Sequence, residues 1–208
     1  MVIRVSDKKK NNSKVTKLLV KPNILLVGDY YQHSVSGINN SGKPYSKNKK
    51  IVSYDDFLKL LSKNHFSIDK DSLNYSRRCS PNVCNFVQKK LGIIINGNEE
   101  KEGKVISISS KEDAIKIIKN DDITKLVYQK AASYPFNAVN WSYSKGDTMN
   151  KTCVILTKTT DFIMSENKEI PSVSTIVINK LYVALTRSIS DVYLISSRLF
   201  KQVMDELN

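Results

Sequence analysis

The chain has only three cysteines among its 208 residues, Cys79, Cys84 and Cys153, and no Cys-x-x-Cys pair. That odd count speaks against a disulfide scaffold and a zinc site, so free thiols in a reducing cytosol are expected. No apolar run approaches the roughly 18 residues that a spanning helix needs, so no membrane-embedded role is expected. The start, Met1 to Lys21, is polar and lysine-rich and lacks the basic-then-apolar order of a signal peptide. Internal repeats are missing, as is a long linker that would divide the chain. Acidic residues are in short supply as well. Against 20 Asp+Glu stand 33 Lys+Arg, a net charge of +13. Such a balance attracts polyanions, with nucleic acid the first candidate and an anionic membrane surface the second.

What is present reads as alternating strands and helices. Residues 1–22 read as a flexible basic segment with the charge run Lys8-Lys9-Lys10. Ile24-Leu25-Leu26-Val27 has the look of a short buried strand ending at Gly28-Asp29, and His33 to Lys50 that of a loop. Ser53 is placed to cap a helix with Asp55 and Asp56 in its first turn. Ser80-Pro81 opens another, with Val83, Phe86, Val87 and Leu91 inward and Gly92 as its stop. Val105–Ser109 reads as a strand, and Ser110 opens a helix to Lys119. Further strands are expected at 126–128, 152–156 and 191–196, with helices over 180–187 and from Arg198. Alternation of this kind argues for a mostly parallel α/β sheet.

Four segments can carry chemistry. Gly28-Asp29-Tyr30-Tyr31-Gln32 follows the first apolar strand, which puts Asp29 and Gln32 at a sheet's carboxyl edge, where ligands gather in open α/β folds. A polar strand end is the alternative. Arg77 and Arg78 directly precede the helix opened by Ser80-Pro81, where free N–H groups and the helix dipole add to guanidinium charge. In Asn140-Trp141-Ser142-Tyr143-Ser144-Lys145-Gly146, Ser144 and Lys145 can bind a phosphodiester. Trp141 or Tyr143 can stack on a base, and Gly146 permits close backbone approach. Equally, Trp141 can be core and Lys145 a solvated loop residue. Last, Tyr182-Val183-Ala184-Leu185-Thr186-Arg187-Ser188 presents an arginine just before an apolar strand, a group with the charge and fork that a transferring phosphoryl needs. Gly37 to Lys43 matches part of a phosphate loop, but Pro44 replaces the magnesium-binding Ser/Thr, so nucleotide binding is not expected there.

In this order the four segments resemble the C-terminal half of superfamily 1 DNA helicases of the UvrD/Rep type. Gly28 to Gln32 resembles the family's third motif, and the resemblance makes Gln32 the sensor that couples the γ-phosphate to bound DNA. Leu73 to Ser80 resembles the fourth, with Arg78 at the phosphate-contacting arginine. Ser144-Lys145-Gly146 resembles the fifth, which grips the single strand and lines the nucleotide cleft. Tyr182 to Ser188 resembles the sixth and makes Arg187 the arginine finger. The implied fold is a RecA-like, mostly parallel sheet flanked by helices, the second lobe of a P-loop NTPase without a phosphate loop of its own. The implied division is a flexible 1–22, a final first-lobe strand plus loop over 23–50, and the second lobe over 51–208.

Departures from the family define the expected function. The Gly-x-x-x-x-Gly-Lys-Thr loop and the Asp-Glu magnesium pair of the first lobe do not occur in this chain, and Thr148 replaces the glutamate of the fifth motif. Only 66 positions separate Arg78 from Ser144, too few for the accessory domain of UvrD-type enzymes. Implied, then, is a cytoplasmic motor lobe of an ATP-driven helicase or translocase that acts on single-stranded DNA. ATP contacts would come from Asp29, Gln32, Arg78, Gly146 and Arg187, and strand contacts from Trp141, Tyr143, Ser144 and Lys145. ATP and Mg²⁺ would bind only once a first RecA-like lobe, from the same parent or a second polypeptide, completes the cleft; no metal site is expected in this chain. A second reading is a non-catalytic nucleic-acid-binding or docking module derived from such a lobe.

Overall fold

The computed structural model describes residues 2–5, 25–32, 53–166 and 171–207, and these divide into two units. The first holds the described residues up to Tyr30 together with 53–74. Its strands are β1 (Val2–Val5), β2 (Leu25–Val27) and β3 (Phe66–Asp69), with helix α1 (Tyr54–Lys63) before β3. The sheet runs in the order β2-β1-β3, antiparallel throughout, with Val2 opposite both Val27 and Asp69. A strand therefore stands within the stretch 1–22 that reads as flexible, because three of its four residues are β-branched and its partners lie far away in sequence. The rest of that stretch, the loop 33–50 and the phosphate-loop fragment Gly37–Lys43 lie outside the described residues. Ser53 caps α1 as expected, its hydroxyl accepting from the Asp56 N–H at 3.1 Å. Tyr30 is buried here, its ring 5.1 Å from Tyr54 and 5.6 Å from Phe57.

One expectation fails in this unit. Leu25, Leu26 and Val27 are 58%, 42% and 62% exposed, and β2 belongs to the antiparallel sheet. It is thus neither a buried strand nor a strand of the parallel sheet. A short apolar run has the same pattern in a buried strand and in an edge strand, and the long-range partner decides.

The second unit contains Tyr31, Gln32 and the described residues from Tyr75 onward. Its elements are α2 (Pro81–Leu91), β4 (Val105–Ile108), α3 (Lys111–Lys119), β5 (Ile123–Val127), β6 (Ala138–Asn140), β7 (Lys151–Ile155), α4 (Thr175–Leu185), β8 (Val192–Ile195) and α5 (Ser197–Leu207). Five parallel strands form one sheet in the order β4-β8-β7-β5-β6. This is the α/β architecture that the alternating pattern predicts. Side chains alternate across each strand. Leu126, Val154, Val192 and Leu194 face a core built with α2 and α4, whereas Ile123, Cys153, Ile155 and Ile195 face one built with α3 and α5. Both faces are covered, as a parallel sheet requires.

The caps follow local chemistry. Ser80 Oγ accepts from Val83 N–H at 3.3 Å and donates to Gly103 O at 2.8 Å, and Pro81 follows at the first helical turn. Gly92 closes α2 in the left-handed conformation, φ 68°. Ser110 caps α3 through Asp113 N–H at 3.1 Å. On β5, Lys125 is only 1% exposed, its ammonium donating to Asn120 O at 2.8 Å. Burial holds its pKa below the ordinary lysine range.

Behind the start of α2, the segment 96–98 runs alongside 76–79. Ser76 N–H donates to Asn96 O at 2.7 Å and Asn98 N–H to Cys79 O at 2.8 Å. Gly97 is pressed so close that an added Cβ would stand 2.4 Å from both Pro81 Cα and Pro81 N. Backbone on both sides leaves nothing soft to yield. Gly97→Ala is expected to lower unfolding stability by about 1–3 kcal/mol in urea denaturation; a variant as stable as the parent would show that the contact is not constrained.

Candidate functional site

The site grows from the way α4 ends. Its last carbonyls lack intrahelical donors, and two guanidiniums supply them. Arg187 sits two residues beyond the helix and folds back, Nε donating to Val183 O at 2.9 Å and Nη2 to Thr186 Oγ1 at 3.1 Å. Arg78, on the approach to α2, donates Nη1 to Thr186 O at 2.8 Å and Nε to Thr148 Oγ1 at 2.9 Å. The two arginines, far apart in sequence, thus meet at Thr186 on the α2/α4 side of the sheet. Arg78 is half-buried, and Arg187 is only 1% exposed. A cation at a helix C-terminus is favourable electrostatically as well as through hydrogen bonds.

The segment between β6 and β7 passes the same helix. Since β5 lies between these two parallel strands, residues 141–150 must cross the sheet to reach the start of β7. Trp141 anchors the beginning: its N–H donates to Val127 O at 2.8 Å and its indole N–H to Leu126 O at 3.0 Å, with the side chain fully buried. Met149 anchors the end, its N–H donating to Arg187 O at 2.9 Å. Gly146 takes φ +92° with open space where a side chain would project, so backbone conformation rather than crowding selects glycine there.

This crossing corrects two sequence expectations. Trp141 offers no face to a base, because the ring fills the core between β5 and α4 and its one polar atom is already bonded. Ser144 is fully buried too, its hydroxyl donating to Trp141 O at 2.8 Å. It shapes the turn instead of binding a phosphodiester directly. Tyr143, 76% exposed, and Lys145 face outward, together with Ser142 and 146–148.

Lys145 borders a cleft of about 140 Å³ shared with Tyr31, Gln32, Ser142, Asn179, Lys180 and Val183. Gln32 reaches it from a 3-10 turn over Tyr30–Gln32, beside which Tyr31 packs edge-on against Tyr182 at 5.8 Å. The structure therefore brings Gln32 and Lys145 together, and Arg78 with Arg187. Val183 joins the two groups: it lines the cleft, and its carbonyl holds Arg187. Asp29 and Gly146 are not among the cleft residues. Sequence reasoning missed Lys180, although it is the only charged residue on α4 and so carried a signal. It also missed Thr186 as the shared anchor, which no pattern marks. Among the described residues no cluster of His, Cys, Asp or Glu could hold a metal ion.

Under the arginines lies a thiol pair. All three cysteines are free and buried. Cys79 Sγ points at Thr186 O, 3.6 Å away. Hydrogen bonding from Cys84 pulls its pKa from an ordinary 9.0 down to about 7, helped by Ser76, Arg78 and Arg187 and opposed by burial. Cys84 is held well above the ordinary thiol range by that bond to Cys79, with burial adding to it, and burial pushes Cys153 up to about 12.

No family model matches the chain, and no curated protein matches it. Among solved structures, it is similar to an arterivirus nonstructural protein 10, a helicase determined in complex with DNA, with TM-score 0.39 and 13% identity. The match covers 64% of this chain and 27% of that one, so the chain spans about a quarter of that helicase. No membrane-spanning helix occurs among the described residues.

Two outcomes are expected. In the reading that sets Tyr143 against a base, Tyr143→Ala weakens single-strand binding several-fold in fluorescence anisotropy without shifting the melting temperature. Trp141→Phe instead lowers stability by roughly 1–3 kcal/mol, since Leu126 O loses its donor. The reverse pattern would mean that the indole turns outward. For the thiols, a depressed folded pKa means the native state sheds its proton first, so stability from Cys79 rises between about pH 7 and 9. Above 9, the raised Cys84 and Cys153 resist ionisation in the fold and stability falls. Cys79→Ser should abolish the rise in urea melts across that range; a rise that persists would assign it to another group.

Proposed function

We propose that this chain is the C-terminal motor lobe of an ATP-dependent superfamily 1 DNA helicase or translocase of UvrD-like type, catalytically incomplete alone. The observation that carries this reading is the meeting of Arg78 and Arg187 at Thr186, one helical turn from a cleft that contains Gln32 and Lys145. Four motif-like segments scattered over the sequence supply those residues.

In this reading, ATP held by a first RecA-like lobe would meet Arg187 and Arg78 across the interface, with Gln32 sensing the γ-phosphate. Phosphoryl transfer depends on positioning and on charge stabilisation by Mg²⁺ and cations. This chain supplies the cations, whereas the phosphate cradle and the magnesium ligands belong to the other lobe. Arg187 must swing from its bonds to Val183 and Thr186 to reach a phosphate. Neutral oxygens hold it at those two bonds, which a phosphate can replace with stronger charge-assisted ones. Lys145 and Tyr143 would grip the strand and move with closure of the cleft.

A second reading has an observation of its own. Arg187 is almost wholly buried and Arg78 has two internal acceptors, as expected of arginines retained only to tie elements together. The chain would then be a strand-binding module without a motor.

An ATPase assay with single-stranded DNA separates these readings when a first lobe is added. The chain alone should show no turnover above background. Joined to a first lobe, it should turn over ATP, with Arg187→Lys reducing the rate by about 10³-fold or more. Strong turnover by the chain alone would overturn the incompleteness. Strand binding that neither supports turnover nor responds to a first lobe would favour the binding module.

A further inference from the structure

The cleft beside α4 holds a cation that neither the motif pattern nor the arginine pair accounts for. Lys180 is the single charged residue of a largely apolar helix. Its amine lies 4.8 Å from the centroid of the Tyr128 ring, and that ring is set edge-on to the buried Trp141 at 5.4 Å. A ring face attracts an ammonium without neutralising it. The position of Lys180 is therefore fixed while its charge stays available to a ligand.

Lys145 lines the same cleft, as do Gln32 and Ser142, so a second ammonium, a carboxamide and a hydroxyl are carried by residues that border it. Neither lysine has a carboxylate partner among the described residues. Two like charges at one small cavity repel unless an anion is shared between them. Compact ammonium charges suit a phosphate and carry no base preference.

We propose that Lys180 and Lys145 together hold one phosphodiester of a single-stranded nucleic acid in this cleft, with Gln32 and Ser142 donating to its oxygens. This deepens the strand-binding part of the function above and rests on it. The arrangement also ties the strand to the arginines. Lys180 and Val183 occupy one turn of α4, and Val183 O is the anchor of Arg187 Nε, so strand capture and arginine position share that turn.

The test uses the full chain, a labelled oligothymidine and anisotropy titrations at several salt concentrations. Lys180→Gln should weaken binding several-fold and flatten the log–log salt slope by about 0.7, the loss of one phosphate contact. Lys180→Arg should restore the slope, Lys119→Gln on the far face should change nothing, and circular dichroism melts should coincide for all variants. Parental affinity and slope in Lys180→Gln, with Lys145→Gln weakened, would remove Lys180 from the site and leave strand binding standing. No strand binding by the parent chain even at low salt would sink the proposal, while the motor-lobe reading is judged separately by turnover with a first lobe. Should Lys180→Gln lower affinity for a fluorescent ATP analogue and spare the oligothymidine, the cleft serves a nucleotide phosphate and the proposal falls.

Discussion

The unsatisfied carbonyls at the end of α4 are the constraint on which this molecule turns. A helix that stops in the interior must find donors for its last turn or lose the free energy of each orphaned oxygen. Here the donors come from Arg187, just past the helix, and from Arg78, over a hundred residues earlier in the chain. Because Thr186 offers both a carbonyl and a hydroxyl, it can receive both guanidiniums and a thiol at once. The approach to α2 and the lead into β8 are drawn together by this one residue, and the crossing segment joins them through Arg78 and the Arg187 carbonyl.

Such an arrangement suits a site that must wait for its ligand. The printed bonds of Arg78 to Thr148 and Thr186, and those of Arg187 to Val183 and Thr186, go to uncharged oxygens, which hold less strongly than a phosphate would. The neighbouring cleft keeps its cations by other means, an aromatic face for Lys180 and an exposed turn for Lys145. Charge is concentrated on one side of the sheet without carboxylates cancelling it at Arg78, Lys145 or Lys180 among the described residues.

Legibility from sequence followed the range of the physics involved. Ser53, Ser80 and Ser110 marked helix starts correctly because a cap is decided by residues three apart, and Gly92 marked a stop for the same reason. Four of the five parallel strands were readable as apolar runs because both of their faces are covered, whereas the three-residue edge strand β6 was not. β1 and β3 were not, since antiparallel pairing over tens of residues leaves little trace in four-residue segments. Trp141 and Ser144 were misassigned to solvent because polar neighbours on a turn conceal an inward side chain. Arg78 and Arg187 could be singled out from sequence, whereas their shared anchor at Thr186 depends on tertiary geometry alone.

The crossing between β6 and β7 has a mechanical corollary. Both ends are fastened by main-chain bonds, Trp141 to the tip of β5 and Met149 to the residue after Thr186. The span between these fastenings is dictated by the sheet, not by the strap. Shortening the strap would therefore pull on a core strand and on the arginine junction at once, while extra residues would bow outward harmlessly. Tension, more than composition, sets the minimum length of that bridge.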